Sequence, residues 1–260
     1  MANLLLTLDI GNTTTTVGLF RGSRLVHSDR FGSRLELGVE EGAEMLSTFL
    51  QKKLSHTPSL QKAIIASVVP RLTTVYTSAI ETKFGVQPLL VSAQRPVGLK
   101  IGYRRPEQLG ADRLANAVAG FYLYGGPVII VDLGTATKFE VVTKKGEYLG
   151  GAIGPGVETA SVDLVRRTAL LPKVVLKKPK SAIGRSTEEA LQAGILLGAA
   201  GGIDRMVAEI EKELGTKMKV IATGGLAKLV AGLSKRIRKV DPDLTLKGLR
   251  IIVERVDLIP

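Results

Sequence analysis

Leu6-Thr7-Leu8-Asp9-Ile10-Gly11-Asn12-Thr13 decides the fold, because Ile129-Ile130-Val131-Asp132-Leu133-Gly134-Thr135-Ala136 repeats its character 123 residues later. In both stretches an apolar strand runs into Asp, an apolar residue and Gly, and a turn with polar side chains follows. Asp-x-Gly occurs by chance in many chains. Two copies at the ends of buried strands, near half-chain spacing, point to one unit used twice.

The flanking pattern supports this. Leu4–Leu8 and Val17–Phe20 read as strands around the polar turn, and Arg21-Gly22-Ser23 closes a hairpin before Leu25–His27. Val39–Leu54 reads as a helix, Ala63–Val69 as a buried strand stopped by Pro70, Thr73–Phe84 as a helix and Leu89–Val91 as a strand. A loop over Arg95–Gly110 leads into a helix through Leu114, Val118 and Phe121. The pattern then restarts with strands at Val128–Val131, Lys138–Thr143 and Glu147–Ile153. Gly154-Pro155-Gly156 precedes a helix reaching about Leu170. Ser186 with Glu189 forms a capping box for a long helix, Thr187–Leu214. Lys219–Ala222 is a strand ending in Thr223-Gly224-Gly225, with helices at Leu226–Arg236 and Lys247–Val256. The expectation is α/β: a duplicated βββαβ-type unit with a cleft between the copies, divided into 1–115 and 116–260.

Composition narrows the chemistry. The chain has 260 residues, 45% of them hydrophobic, and carries 36 Lys+Arg against 24 Asp+Glu for a net charge of +12. This is enough apolar material for a packed core, so a disordered chain is excluded. Cysteine is absent and the only histidines are His27 and His56, which excludes thiolate nucleophiles, disulfides and His-rich metal sites. Carboxylates, hydroxyls and backbone amides are left to act. No apolar run is long enough to span a membrane, so a soluble, cytoplasmic protein is expected. Basic clusters at Arg166–Arg185 and Lys235–Lys239 read first as solvated surface that also favours anionic substrates. Specific nucleic-acid binding is the weakest reading, because aromatics are not interleaved with the basic residues.

Neither a P-loop nor a usable Gly-x-Gly-x-x-Gly is present. The duplicated turn offers another phosphate cradle: Gly11 permits close backbone approach, while Asn12 and Thr13-Thr14-Thr15-Thr16 add donors. Asp9 stands where one carboxylate holds Mg2+ together with substrate phosphates. A tight turn capped by Asp would account for a single copy without any ligand. The duplication and the third turn at Thr223-Gly224-Gly225 favour nucleotide binding.

These motifs, with Gly110-Ala111-Asp112-Arg113, Asp132-Leu133-Gly134-Thr135-Ala136-Thr137, Gly150–Gly156 and Asp241–Leu246, resemble the type III pantothenate kinase family over about residues 4–250. The resemblance implies two tandem ribonuclease H-like (actin-like ATPase) domains. It implies ATP-dependent phosphorylation of the pantothenate 4′-hydroxyl, the first step toward coenzyme A. It assigns Asp112 as general base, a role that a position near a helix start suits because the helix dipole favours negative charge there. Asp9, Ile10, Gly11, Asn12, Thr13, Thr14, Thr15, Thr16 and Thr135 become ATP contacts, with Asp9 on the Mg2+ side. Tyr103, Gly110, Ala111, Asp112, Arg113 and Thr187 become pantothenate contacts, and Ile153 and Val157 apolar wall. Thr187 is implied to act across a homodimer interface, although a helix-capping role also accounts for it. Asp132 becomes the ligand of a monovalent cation, K+ or NH4+. Glu140 departs from the family pattern, which has Asp there. A non-catalytic regulatory relative, or a kinase for another small hydroxyl substrate, remains the alternative.

Overall fold

The structure, a computed structural model, describes residues 4–52 and 60–256. Contacts divide it into two units: one takes the chain up to Tyr122 and resumes at Leu244, and the other spans Leu123–Asp243.

The first unit contains β1 (Leu4–Ile10), β2 (Thr14–Arg21), β3 (Arg24–Gly32), α1 (Val39–Gln51), β4 (Lys62–Ser67), α2 (Pro70–Phe84), β5 (Leu89–Leu90) and β6 (Lys100–Ile101). A short 3-10 turn at Pro106–Gln108 then precedes α3 (Ala111–Tyr124). Its main sheet has the order β3-β2-β1-β4-β5, with β1 antiparallel to β2 and parallel to β4. Leu4, Leu6, Leu8 and Ile10 alternate along β1 and pack with Leu46, Phe49 and Leu50 of α1 and Leu72, Tyr76 and Ile80 of α2. The central strand is buried along almost all its length, which explains its unbroken apolar reading.

The second unit contains β7 (Val128–Leu133), β8 (Ala136–Val142), β9 (Glu147–Pro155), α4 (Val157–Arg166), α5 (Thr187–Leu214), β10 (Lys219–Thr223), α6 (Ala227–Ala231) and β11 (Lys239–Val240). Its strands lie in the order β11-β10-β7-β8-β9. Replacing β1 through β5 by β7 through β11 converts the first order into the order of these five strands, so the duplication read from two short motifs extends to five strands of each sheet. Ile129 and Val131 of β7, Phe139 of β8 and Leu196, Ile203 and Val207 of α5 form its core.

The division at Tyr122/Leu123, in the last turn of α3, lies a few residues beyond the boundary expected near residue 115. The last helix, α7 (Leu244–Val256), was expected in the second copy but belongs with the first unit and packs on β1, β2 and β4. Two small residues admit it. A Cβ on Gly18 would lie 2.7 Å from Thr7 Oγ1 and 2.9 Å from Leu246 Cδ1, and one on Gly248 would lie 1.9 Å from the Ala115 carbonyl oxygen. The Thr245 hydroxyl donates to Asn116 Oδ1 at 2.8 Å and fixes α7 against α3.

Other differences are local. Pro70 stops β4 but also opens α2 at its first turn, where a missing N–H costs nothing. Helix α4 ends at Arg166 rather than near Leu170; Pro172 disfavours helical backbone just before it, and Leu170 is exposed. Helix α6 stops at Ala231 instead of reaching Arg236, because Asp204 of α5 accepts bonds from Ser234 Oγ and the amides of Lys235 and Arg236. The end of the helix expected over Val39–Leu54 lies outside the described residues.

Candidate functional site

In the first unit the expected phosphate turn joins β1 to β2. The Gly11 amide donates to the Thr14 carbonyl at 2.9 Å, and Asn12, Thr13 and Thr14 are exposed. Asp9 is half-buried near the end of β1, directly across from Thr16 on β2. Thr15 differs from its neighbours. It is fully buried, and its hydroxyl is 2.9 Å from Ser33 Oγ. Ser33 Oγ donates to the Gly11 carbonyl at 2.7 Å, and the Ser33 amide donates to the Thr13 carbonyl at 3.0 Å. Ser33, just beyond β3, thus holds the turn from below. Tyr76 of α2 also bonds Thr15, and burial pushes its phenol up to about 12, so it stays a neutral support at physiological pH.

The expected acceptor residues converge beside this turn. The Val68 amide, just past β4, donates to the Ile10 carbonyl at 3.1 Å, and a Cβ on Gly110 would be 3.6 Å from Val68 Cγ1. The ends of parallel β1 and β4 and the start of α3 are therefore contiguous, the usual position for ligands in α/β sheets. Asp112 lies in the first turn of α3. Arg113 is buried, with its guanidinium carbon 5.8 Å from the Tyr103 ring centroid, within cation–π range. A cavity of about 330 Å³ opens here, lined by Ser67, Val68, Gln94, Leu109, Gly110 and Ala111 among others. Tyr103, Gly110, Ala111, Asp112 and Arg113, dispersed in sequence reading between loop and helix, form one group.

The second unit repeats the turn with a change. Three residues, Gly11–Thr13, separate β1 from β2, whereas only Gly134 and Thr135 separate β7 from β8. The register accordingly sets Asp132 opposite Lys138, where the first copy sets Asp9 opposite Thr16. Lys138 Nζ lies 2.8 Å from Asp132 Oδ2, and the two side chains are only 16% and 14% exposed. The third turn closes on the same carboxylate: Gly224, at φ +95°, would place a Cβ 2.8 Å from Asp132 Oδ1. The Thr135 side of the turn rests on the start of α4, since Thr159 Oγ1 donates to the Thr135 carbonyl at 2.8 Å and the Gly156 amide does so at 3.1 Å.

A profile of the type III pantothenate kinase family matches residues 5–209. The type III pantothenate kinase of Dehalococcoides mccartyi (strain CBDB1) is 42% identical over 250 residues, 96% of this chain and 95% of that one. That of Moorella thermoacetica is 42% identical over 252 residues, covering 97% and 99%. The chain belongs to the type III pantothenate kinase family. Solved structures agree on the fold. A putative Baf family transcriptional activator from Campylobacter jejuni superposes with a TM-score of 0.60 at 18% identity, covering 97% of this chain and all of that one. The ADPNP-bound activator of 2-hydroxyisocaproyl-CoA dehydratase from Clostridium difficile gives 0.58 at 13% identity, covering 98% and 94%. These likenesses and the two sheets establish the two-domain, ribonuclease H-like α/β fold that the family resemblance implied.

As a member of the type III pantothenate kinase family, the chain is an ATP-dependent pantothenate kinase of coenzyme A biosynthesis, and kinases generally use ATP with Mg2+. No group of three or more His, Asp or Glu gathers into a metal cluster among the described residues. Asp9 alone at a phosphate turn fits Mg2+, which favours one or two carboxylates plus substrate phosphates. Asp132 does not fit K+ or NH4+ equally well, because the Lys138 ammonium already stands on one of its oxygens. Thr187 is the first residue inside α5 and exposed; capping falls to Ser186, whose Oγ accepts from the Glu189 amide at 3.3 Å, while the Glu189 carboxylate accepts from the Arg185 amide at 2.8 Å. Ile153 and Val157 line an apolar groove on the second unit. Glu140, the departure from the family pattern, is fully buried and accepts from Tyr148 Oη at 2.5 Å, so its longer side chain serves an internal bond. Ser33, Tyr76 and Lys138 were missed in sequence. Only Lys138 left a signal, since pairing the two arms of its hairpin puts it across from Asp132.

Proposed function

We propose that, in the family's ATP-dependent phosphorylation of pantothenate, this chain binds the acceptor at Tyr103, Gly110, Ala111, Asp112 and Arg113 and the ATP phosphates at Asp9–Thr16. The observation that carries this reading is the contiguity of the Gly11 turn and the Asp112 carboxylate through Ile10 and Val68. Phosphoryl transfer is mostly positioning and charge stabilisation, so few special groups are needed. Asp112 accepts the proton of the 4′-hydroxyl as its oxygen bonds to the γ-phosphorus, and the bond from that phosphorus to the bridging oxygen breaks to leave ADP. Arg113, buried over Tyr103, offers donors to the substrate carboxylate or its polar arm. Exposed Asn12, Thr13 and Thr14 and the turn amides take phosphate oxygens, while Thr15 supports the turn from inside. Asp9 would hold Mg2+ together with the ATP phosphates, and the ion would supply positive charge there. Thr135 contacts ATP, and the K+ or NH4+ that the family resemblance implies at Asp132 would meet the Lys138 ammonium already on that carboxylate.

A homodimer goes with this reading. Gly194, Gly198 and Gly202 lie at four-residue spacing on α5, and a Cβ on any of them would meet nothing within 4 Å. Exposed Ile153, Leu164 and Met206 flank the same groove of about 520 Å³. A second copy packed on this face would bury them, and Thr187 would act across that interface. No described helix is long and apolar enough to cross a membrane. The cytoplasm, as the site of ATP-dependent biosynthesis, is the compartment this reading implies.

ADP release with Mg2+–ATP, with and without pantothenate, tests the reaction, and mass spectrometry of the acceptor identifies the product. Phosphopantothenate formed in step with ADP is expected. ADP release indifferent to pantothenate would sink the acceptor assignment.

A further inference from the structure

We propose that Lys138 is the monovalent cation of this site: its ammonium takes the place at Asp132 that an added K+ or NH4+ would take. Nucleotide binding and turnover would then not depend on those ions. The proposal rests on the reading that Asp132 lies at the ATP end of the site.

Three observations carry it. Lys138 and Asp132 are direct cross-strand partners on antiparallel β8 and β7, so their side chains leave the sheet on one face and the backbone ladder fixes their separation. The 2.8 Å contact is made by side chains about 85% buried, unlike the exposed pairs that bring little. A lysine head is itself a substituted ammonium ion, with the charge of K+ and three N–H donors for surrounding oxygens. Cation and carboxylate are thus joined in one chain, and a second cation at that oxygen would meet the like charge of Nζ at close range.

The duplication supplies an internal comparison. The first copy has a hydroxyl, Thr16, directly opposite Asp9, and that hydroxyl accepts from Arg30 Nε of the next strand at 3.3 Å. In the second copy the hydroxyl position is taken by a lysine. Asp132 Oδ1 faces the Gly224 turn, where even a methyl group would come within 2.8 Å, so the carboxylate is held between a fixed ammonium and a close backbone.

The test uses the full chain and a non-hydrolysable ATP analogue with Mg2+, titrated by calorimetry in Na+, K+ and NH4+ chloride at equal ionic strength. The wild-type dissociation constant should be the same in all three salts. Lys138→Thr, which installs the hydroxyl found at Thr16, should bind about tenfold more weakly in Na+ and recover in K+ or NH4+, since it loses one preorganised charge. Lys138→Met, equal in reach and uncharged, repeats the measurement should the threonine variant not fold. Several-fold tighter wild-type binding in K+ than in Na+ would overturn the proposal, as would variants that bind normally in Na+. Because binding of the analogue needs no acceptor, a chain that binds it independently of salt yet ignores pantothenate would leave Lys138 in its role and remove only the acceptor assignment.

Discussion

Gly110 and Asp112 share one small volume: a Cβ on residue 110 would stand 2.6 Å from Asp112 Oδ1. The carboxylate leans back over the residue before its own helix and can hold that position only while residue 110 has no side chain. Gly110→Ala should therefore displace the carboxylate without unfolding the protein, because Gly110 is not at positive φ. Turnover should fall by about tenfold or more, in line with the sensitivity of catalysis to misplaced groups. The melting temperature should stay near that of the wild type. A normal rate would show that the Asp112 position does not matter to the chemistry.

Asp112→Asn keeps the shape and removes the proton acceptor. A general base contributes about 10²–10⁴ in rate, so kcat should drop within that range while affinity for the ATP analogue is retained. Steady-state kinetics beside calorimetry separates the two, and near-normal turnover would remove Asp112 as the base.

Ser33→Ala cuts the support beneath the Gly11 turn, losing bonds of 2.7 Å to the Gly11 carbonyl and 2.9 Å to Thr15. Each partly buried hydrogen bond contributes about 1 kcal/mol, so a modest loss of stability is expected. The KM for ATP should rise several-fold while that for pantothenate changes little. An equal rise in both would mean that Ser33 serves the fold rather than the turn.

The pH dependence of stability should reveal Glu211, which α5 buries near the start of β10. Burial opposes its charge, but bonds from the Met218 amide, Lys217 and Arg236 outweigh that effect and hold the carboxyl below its ordinary value. A depressed folded value means that the stabilisation is fully present above the unfolded carboxyl range and is lost as pH falls through the folded value. Glu211→Gln should melt below the wild type at neutral pH, and the gap should close below about pH 4, near the ordinary glutamate value. A gap that widens on acidification would reverse the assignment.

Sedimentation tests the dimer. Ile153 is 63% exposed beside the glycine stripe of α5, and Ile153→Asp would place a charge in the face proposed to be covered. The wild type should sediment as a dimer and the variant as a monomer with its circular dichroism unchanged. A monomeric wild type would leave the groove to another partner.

The longer strands were legible because each carries a short apolar run ending in Gly, Pro or a polar turn, and α5 because Ser186 and Glu189 announce its start, whereas two-residue β6 lies in a stretch expected to be loop. The limits of α4 and α6 were not legible. Helix α6 stops where Asp204 of α5 captures the chain, and such a partner 30 residues away leaves no mark on local periodicity, whereas α4 stops several residues short of Pro172. The two-residue strand β11 is too short for any period to show. Of the candidate site, the carboxylates and glycines stood out by their repeated spacing, whereas Ser33 and Tyr76 reach the turn only through the packing of β3 and α2 beneath it.

The sequence by itself determined that one α/β unit is used twice, because strand periodicity and the two Asp-x-Gly turns are local properties that survive without a partner. It also determined which carboxylates and hydroxyls were available, since a chain without cysteine and with two histidines has few other reactive groups. The tertiary structure alone decided where α7 belongs, because an amphipathic helix specifies an apolar face but not the sheet that receives it. It also decided that Thr15 turns inward to Ser33 and that Lys138 stands on Asp132. Those outcomes depend on the register of paired strands and on close packing, where a turn shorter by one residue changes which side chain faces a carboxylate.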